Sequence, residues 1–338
     1  MKTWKLISVL LIAVILLAAL PLTACGGGDE EEKILTMYVA YGNPELVAAE
    51  FEADTGIRVE LITMSSGEVI TRLRAEAGNP QTDIWFGGGS DAFIQAKADG
   101  IIQSYRSPNA ASVDAAFKDA EGYWTGVSLV VVGLLVNNDR LTSESLDMPA
   151  AWADLADPQY GEELMASNPN TSGTAYTTVS GILQALGEEA GWAFLDDMYR
   201  NIPYLEQSGS APATKAIQGE FAIGIVPDPH NSIIKNPNAG LTAVFPADGV
   251  LAWPSPVAIV SGARHPINAR QFVDWCLSDR GQLVLMEASP RVPVTDVAPL
   301  EGVPSLSELT LVPYDILKWG TERQRVLAEF NERYPQYQ

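Results

Sequence analysis

Cysteine is almost missing from this chain: Cys25 and Cys276 are the only two in 338 residues. With one cysteine left in the body, disulfides cannot hold the fold, and its stability must come from packed cores. Cys276 lies in the helix-like apolar run Phe272-Val273-Asp274-Trp275-Cys276-Leu277 and reads as a packing residue. Histidine is equally scarce, with His230 and His265 alone. There is no Gly-x-Ser-x-Gly elbow, no P-loop, no His-Glu-x-x-His and no Cys-x-x-Cys. These absences remove the common routes to nucleophilic, nucleotide-dependent and zinc-dependent catalysis. The chain is therefore not expected to be an enzyme or to carry a cofactor. An exported glycoside hydrolase with paired carboxylates is the weakest surviving alternative, since nothing singles out a pair among 42 acids. Basic residues number only 21, and the formal net charge is −21. Such a surface is not expected to bind nucleic acid or anionic lipid. The sign of a buried pocket is left open.

The first residues are different in kind. Lys2 and Lys5 are followed by Leu6 to Leu20, apolar apart from Ser8, and then by Leu22-Thr23-Ala24-Cys25. A short positive start, an apolar stretch and small residues before a cut make residues 1–24 a secretory signal. The Leu-Thr-Ala-Cys ending resembles the bacterial lipobox, which implies lipidation of Cys25 and anchoring on the outer face of the cell membrane. Residues 25–33, rich in Gly and Glu, have nothing to bury and read as a flexible tether. Beyond them no apolar run is long enough to span a bilayer.

From Ile34 the chain alternates short β runs with helical stretches. Asn43 and Pro44 open a helix that stops at Gly56; Ser65-Ser66-Gly67 opens another; Asp83 to Phe86 is a strand that leads into Gly87-Gly88-Gly89-Ser90-Asp91. Repeated units of this length imply α/β lobes with mainly parallel sheets flanked by helices. Two longer extended stretches, Trp124 to Asn137 and Trp253 to Val260, each lie between βα regions and are expected to cross between two lobes. The expected division is 34–131 with 255–305 for lobe 1, and 132–254 with 306–338 for lobe 2.

The order of "SSGEVITRLRAEAGNPQTDIWFGGG", "GIIQSY", "SGTAYT", "GEFAIGIV", "FPADGV" and "HPINARQFVDWCLSDRGQ" behind a lipobox resembles the extracellular solute-binding proteins of ABC importers. Within them it is most similar to the cluster of ferric-iron, phosphonate and sugar-phosphate binders. The resemblance implies a two-lobe, type II periplasmic-binding-protein fold that closes on its ligand like a hinge. It also implies an ABC permease as membrane partner, and the protein is expected to act as a monomer.

Strand-to-helix junctions rich in Gly, Ser and Thr are the candidate ligand contacts. They are Tyr41-Gly42-Asn43, Ser65-Ser66-Gly67, the segment Asn170-Thr171-Ser172-Gly173-Thr174, and Ser208-Gly209-Ser210, with Gly88 beside them. Helix N-termini present unpaired N–H groups and partial positive charge. Several meeting in a cleft would hold an anion without Arg or Lys. Each alone also reads as an ordinary cap. Tyr176 could wall the ligand or pack its own helix; Asp228 and Asp248 could orient a ligand amine or hydroxyl, or fix a loop. The ferric-binding relatives carry adjacent tyrosines after a strand like "FAIGIV", where this chain reads Val226-Pro227-Asp228-Pro229-His230-Asn231. A metal site built on Asp228 and His230 with a strand-one tyrosine is thus the alternative to a small anion such as a phosphonate, sugar phosphate or carboxylate.

Overall fold

The expected βα alternation is realised in the computed structural model, which describes residues 32–337. The secretory signal, Cys25 and most of the tether lie outside the described residues. Strand β1 (Ile34–Ala40) ends where Asn43 accepts a bond from the Leu46 N–H, and the helix Pro44–Thr55 closes on Gly56 at φ 72°. Strand β2 (Arg58–Thr63) leads to the helix Ser66–Glu76, started by a reciprocal pair in which Ser65 and Glu68 satisfy each other's backbone N–H. Strand β3 (Ile84–Gly87) feeds the helix Ser90–Ala98, and the short β4 is Ile102–Gln103.

The long stretch after Trp124 forms one unbroken strand, β5 (Thr125–Asn137), rather than a bent pair. Strands β6 (Leu164–Ser167), β7 (Leu205–Glu206), β8 (Ile223–Pro227) and β9 (Leu241–Val244) follow, then β10 (Leu251–Val260) and β11 (Val292–Pro293). All join one mixed sheet: eight follow the path β2-β1-β3-β10-β5-β8-β6-β7, while β4 pairs with β10 and both β9 and β11 pair with β5. The outer pairs β1–β2, β1–β3, β6–β7 and β6–β8 are parallel, whereas β5 and β10 run antiparallel to each other. The parallel strands on either side are joined through the expected crossover strands β10 and β5 into one hydrogen-bonded sheet.

Strand β5 changes neighbours partway along. Its first half, Thr125 to Val132, lies against β10; its second half lies between β8, from Val132, and β9, from Leu134. The buried apolar side chains divide at the same place. Leu35, Phe51, Phe86, Val127, Val131, Phe272 and Val284 belong to one core. Val132, Leu134, Tyr160, Leu195, Ile223, Trp319 and Phe330 belong to another. Cys276 is fully buried in the first, and burial raises its thiol well above its ordinary value. Among the described residues no helix is long and apolar enough to cross a membrane.

One polar anchor holds the first core together. The Asp83 carboxylate, wholly buried, accepts bonds from the Thr36 N–H at 2.9 Å and hydroxyl at 2.7 Å, and from the His265 N–H at 2.8 Å and Nδ1 at 2.9 Å. His265 thus serves packing. Burial raises the Asp83 pKa, but the bonds from His265 and Thr36 outweigh it and the net shift is downward. The stability this carboxylate contributes is present above its unfolded value, about 3.9, and is lost as pH falls through the lower folded value. Asp83→Ala should lose about 1–3 kcal/mol or somewhat more at neutral pH, because several buried donors lose their acceptor. Urea melts would show it, and the deficit against wild type should shrink below about pH 4.

Candidate functional site

Strand β3 and the loop after β6 deliver two helix N-termini to one cavity. Gly89, Ser90 and Asp91 line it from the helix Ser90–Ala98, and Gly173, Tyr176 and Thr177 from the helix Gly173–Leu186. Trp253 of β10 contributes, and the C-terminal helix Ile316–Arg333 adds Ile316, Gly320 and Arg323, with Tyr314 just before it. The cavity volume is about 40 Å³, room for only a few waters. The walls are nearly shut on each other: a Cβ placed on Gly320 would lie 3.8 Å from the Asp91 Cβ.

The junction residues fall into distinct places. Ser172 is buried and caps its helix, its Oγ accepting from the Ala175 N–H at 3.2 Å. A Cβ on Gly209 would lie 2.8 Å from the Ser172 Oγ and 3.1 Å from the Thr174 Oγ1. The Ser208 and Ser172–Thr174 loops are therefore side by side. Asn170 is turned to structural work, bonded to Asn168 and to Asn331 of the C-terminal helix. Tyr176 does both things its position allowed: it lines the cavity, and its hydroxyl donates to the Trp319 carbonyl. On the other wall, the Ser66 Oγ accepts from the Gly89 N–H at 3.2 Å, and Gly88 packs on Ser66 and Ala40. Ser65 is taken up with Glu68, and Gly67 has nothing within 4 Å of where a Cβ would be.

A second polar centre lies at the ends of β1 and β8. Tyr41 is buried, its hydroxyl donating to the Ser128 Oγ and to the Leu285 carbonyl, both at 3.3 Å. Burial raises its pKa. Arg291 lies over the Tyr41 ring at 4.9 Å and donates to Asp228 Oδ2 and to the Ser255 hydroxyl, both at 3.3 Å. Asp228, at φ 46°, also accepts from the Val131 N–H at 3.0 Å. Burial raises its carboxyl pKa, and the Arg291 guanidinium pulls it part of the way back. Gly42 and Asn43 pack on the C-terminal end of the helix Asp279–Ala288: the Asn43 N–H donates to the Ala288 carbonyl at 3.1 Å. The His230 Nε2 meets the Pro290 carbonyl at 2.7 Å, and its Nδ1 is buried without a partner. Burial lowers the His230 pKa.

Asp248 takes the second of the two roles its position leaves open. Asp248 does not reach the cavity: its carboxylate accepts from the Trp152 N–H at 2.9 Å and the Ala153 N–H at 3.2 Å, capping a short turn beside Leu251 and Val312. It is a loop anchor. A basic residue, Arg323, also lines the cavity. Among the described residues no group of three or more His, Cys, Asp and Glu side chains is arranged to hold a metal ion, and Arg291 pairs with Asp228.

Two cores bridged by shared strands, with a cavity at helix N-termini outside the carboxyl ends of strands, define a type II periplasmic binding protein. The family of bacterial extracellular solute-binding proteins matches residues 79–319, and this chain belongs to it. Such proteins capture a small solute outside the cytoplasm for an ABC importer; they are binding proteins, not enzymes. The chain is 29% identical to an uncharacterized protein of Haemophilus influenzae, across 90% of this chain and 92% of the other. It is 24% identical to a Salmonella typhimurium periplasmic protein named for binding 2-aminoethylphosphonate, across 87% of each. It superposes on the periplasmic binding protein AfuA from Actinobacillus pleuropneumoniae, solved with fructose-6-phosphate, at a TM-score of 0.78 and 30% identity, covering 88% of this chain and 98% of that one. Iron-bound HitA from Pseudomonas aeruginosa shares the fold, with a TM-score of 0.75 at 19% identity over 88% of this chain and 98% of that one.

Proposed function

We propose that this protein, anchored by lipid at Cys25 and acting as a monomer, captures a small anionic solute of the phosphonate or sugar-phosphate type. Two lobes, 34–131 with 255–305 and 132–254 with 306–338, close on the solute, and the closed form delivers it to the permease. The observation that carries this reading is the meeting of two helix N-termini, at Ser90 and Gly173, with the Arg323 guanidinium around one cavity. Each contributes positive potential where water is scarce. The split of the buried cores within β5 supports the division into lobes. The relatives named for 2-aminoethylphosphonate and bound to fructose-6-phosphate support the solute class.

A thermal-shift screen tests it. A ligand at 100 times its dissociation constant should add about 2.7 kcal/mol to stability. Phosphonates and phosphate esters are expected to raise the melting temperature clearly, and neutral sugars to leave it unchanged. Thr177→Val, at a residue that lines the cavity, should weaken the anion by about tenfold or more, since bonds to a charged partner contribute about 1.5–3 kcal/mol. Calorimetric titration of the variant checks this, and unchanged affinity removes the Thr177 hydroxyl from the site.

A further inference from the structure

The cavity holds two opposite charges that do not satisfy each other. Arg323 comes from the C-terminal helix, whose Trp319, Val326 and Phe330 are buried in the second core. Its guanidinium lies over the Tyr176 ring at 4.3 Å, and its one hydrogen bond among the described residues is a long one, 3.4 Å, to the Pro169 carbonyl. The acids nearest in sequence are not available to it: Glu322 pairs with Arg325, and Glu329 with Arg333. Opposite stands Asp91, in the first turn of the helix Ser90–Ala98, lining the same cavity. No hydrogen bond or ion pair occupies its carboxylate among the described residues.

Geometry keeps these two charges near one another. Gly320 and Arg323 are three residues apart on the C-terminal helix and so share a face. At Gly320 that face meets Asp91, with 3.8 Å to the Asp91 Cβ. Both charges also act on the same two phenols: burial raises the pKa of Tyr176 and of Tyr314, Asp91 adds to the rise and Arg323 opposes it. Were Arg323 and Asp91 paired directly, they would hold the walls together with no solute present. Left unpaired, each wants a counter-charge, and a solute carrying both charges would supply them from the two sides at once.

We propose that Arg323 and Asp91 are the charge-selecting residues of the cleft, and that the solute is an anion which also bears an amine: its anionic group is held by Arg323 and its ammonium by Asp91. This rests on the anionic-solute reading above and narrows it. Closure is then favoured by a bridging zwitterion over an anion alone, because only the zwitterion interacts more strongly with the closed state at both walls.

The test is calorimetric titration with two probes that differ only in the amine, 2-aminoethylphosphonate and ethylphosphonate. Wild type is expected to bind the first about tenfold or more tightly than the second. Arg323→Gln should weaken both by at least about tenfold, and Arg323→Lys should restore much of the loss. Asp91→Asn should remove the preference, weakening 2-aminoethylphosphonate while ethylphosphonate binds at least as tightly as to wild type, because a repelling carboxylate has left the cavity. Thermal melts without ligand should stay near wild type for all three variants, since neither side chain carries a buried structural bond. A wild type that binds ethylphosphonate as well as its amino analogue overturns the inference, as does an Arg323→Gln protein that binds both probes within about twofold of wild type; the anionic-solute reading survives either result. A wild type indifferent to both probes, and to inorganic phosphate and fructose 6-phosphate, overturns that reading and the inference with it.

Discussion

Arg291→Met should lower the free energy of unfolding by about 3–5 kcal/mol, the cost of leaving a buried charge without its partner. The Asp228 side chain is 6% exposed and Arg291 donates to it at 3.3 Å, while the other bond to this carboxylate comes from the Val131 N–H. Methionine keeps the apolar length of the stem over Tyr41 and removes only the charge, so packing loss contributes little. The effect should depend on pH in a defined sense. Burial already raises the Asp228 pKa, and removing Arg291 raises it further. A raised folded value means that the stability is present at low pH and lost as pH rises through that value. The deficit of Arg291→Met should therefore be large at pH 8 and smaller at pH 5. Asp228→Asn added to Arg291→Met should recover much of the loss. Urea melts of the two variants at both pH values measure it. A loss under about 1 kcal/mol, or no recovery in the double variant, would show that this pair does not bind the end of β8 to the loop after Ala288.

Gly88→Ala should be nearly as damaging and should act on the cleft directly. Gly88 sits at φ +105°, where a side chain is strained, and its Cβ would lie 2.0 Å from the Ser66 Oγ. The backbone conformation alone costs roughly 1–3 kcal/mol for a residue other than glycine. Moving Ser66 away breaks its bond to the Gly89 N–H and adds roughly 1–3 kcal/mol of overpacking. The N-terminus of the helix Ser90–Ala98 would shift with Gly89, so solute affinity should fall along with the melting temperature. Ser66→Gly placed beside Gly88→Ala frees the space but not the backbone angle, and should restore only part of the stability.

Local chemistry carried much of the architecture into plain view. Asn43, Pro44 and Gly56 bound one helix, and Ser65 with Glu68 opens another, because capping is decided within a few residues. That Trp124 to Asn137 would be shared between two cores was legible from its place between two βα regions. That β5 would be a single unbroken strand was not, because Gly133 reads as a bend until the chain it packs on is known. In the structure, a Cβ there would meet the Val244 carbonyl at 2.7 Å, so Gly133 is needed for close approach.

The candidate site was half legible. Gly173 and Tyr176 reach the cavity, as a Ser/Thr-rich junction in a second lobe suggests, and Ser66 and Gly88 stand just behind its other wall. Arg291 and Arg323 went unseen. Their partners lie 63 and 154 residues away in sequence, and no spacing rule reaches that far. Asp248 stayed undecided for a different reason. An acid after a strand looks the same in sequence whether it faces a solute or caps a turn, and here it caps Trp152 and Ala153.

Small-angle X-ray scattering with and without a saturating phosphonate or sugar phosphate addresses the hinged clamp most directly. The ligand is expected to reduce the radius of gyration and narrow the pair-distance distribution, the mark of two bodies drawing together on an anion. A bound protein whose scattering curve overlays that of the free protein would contradict it.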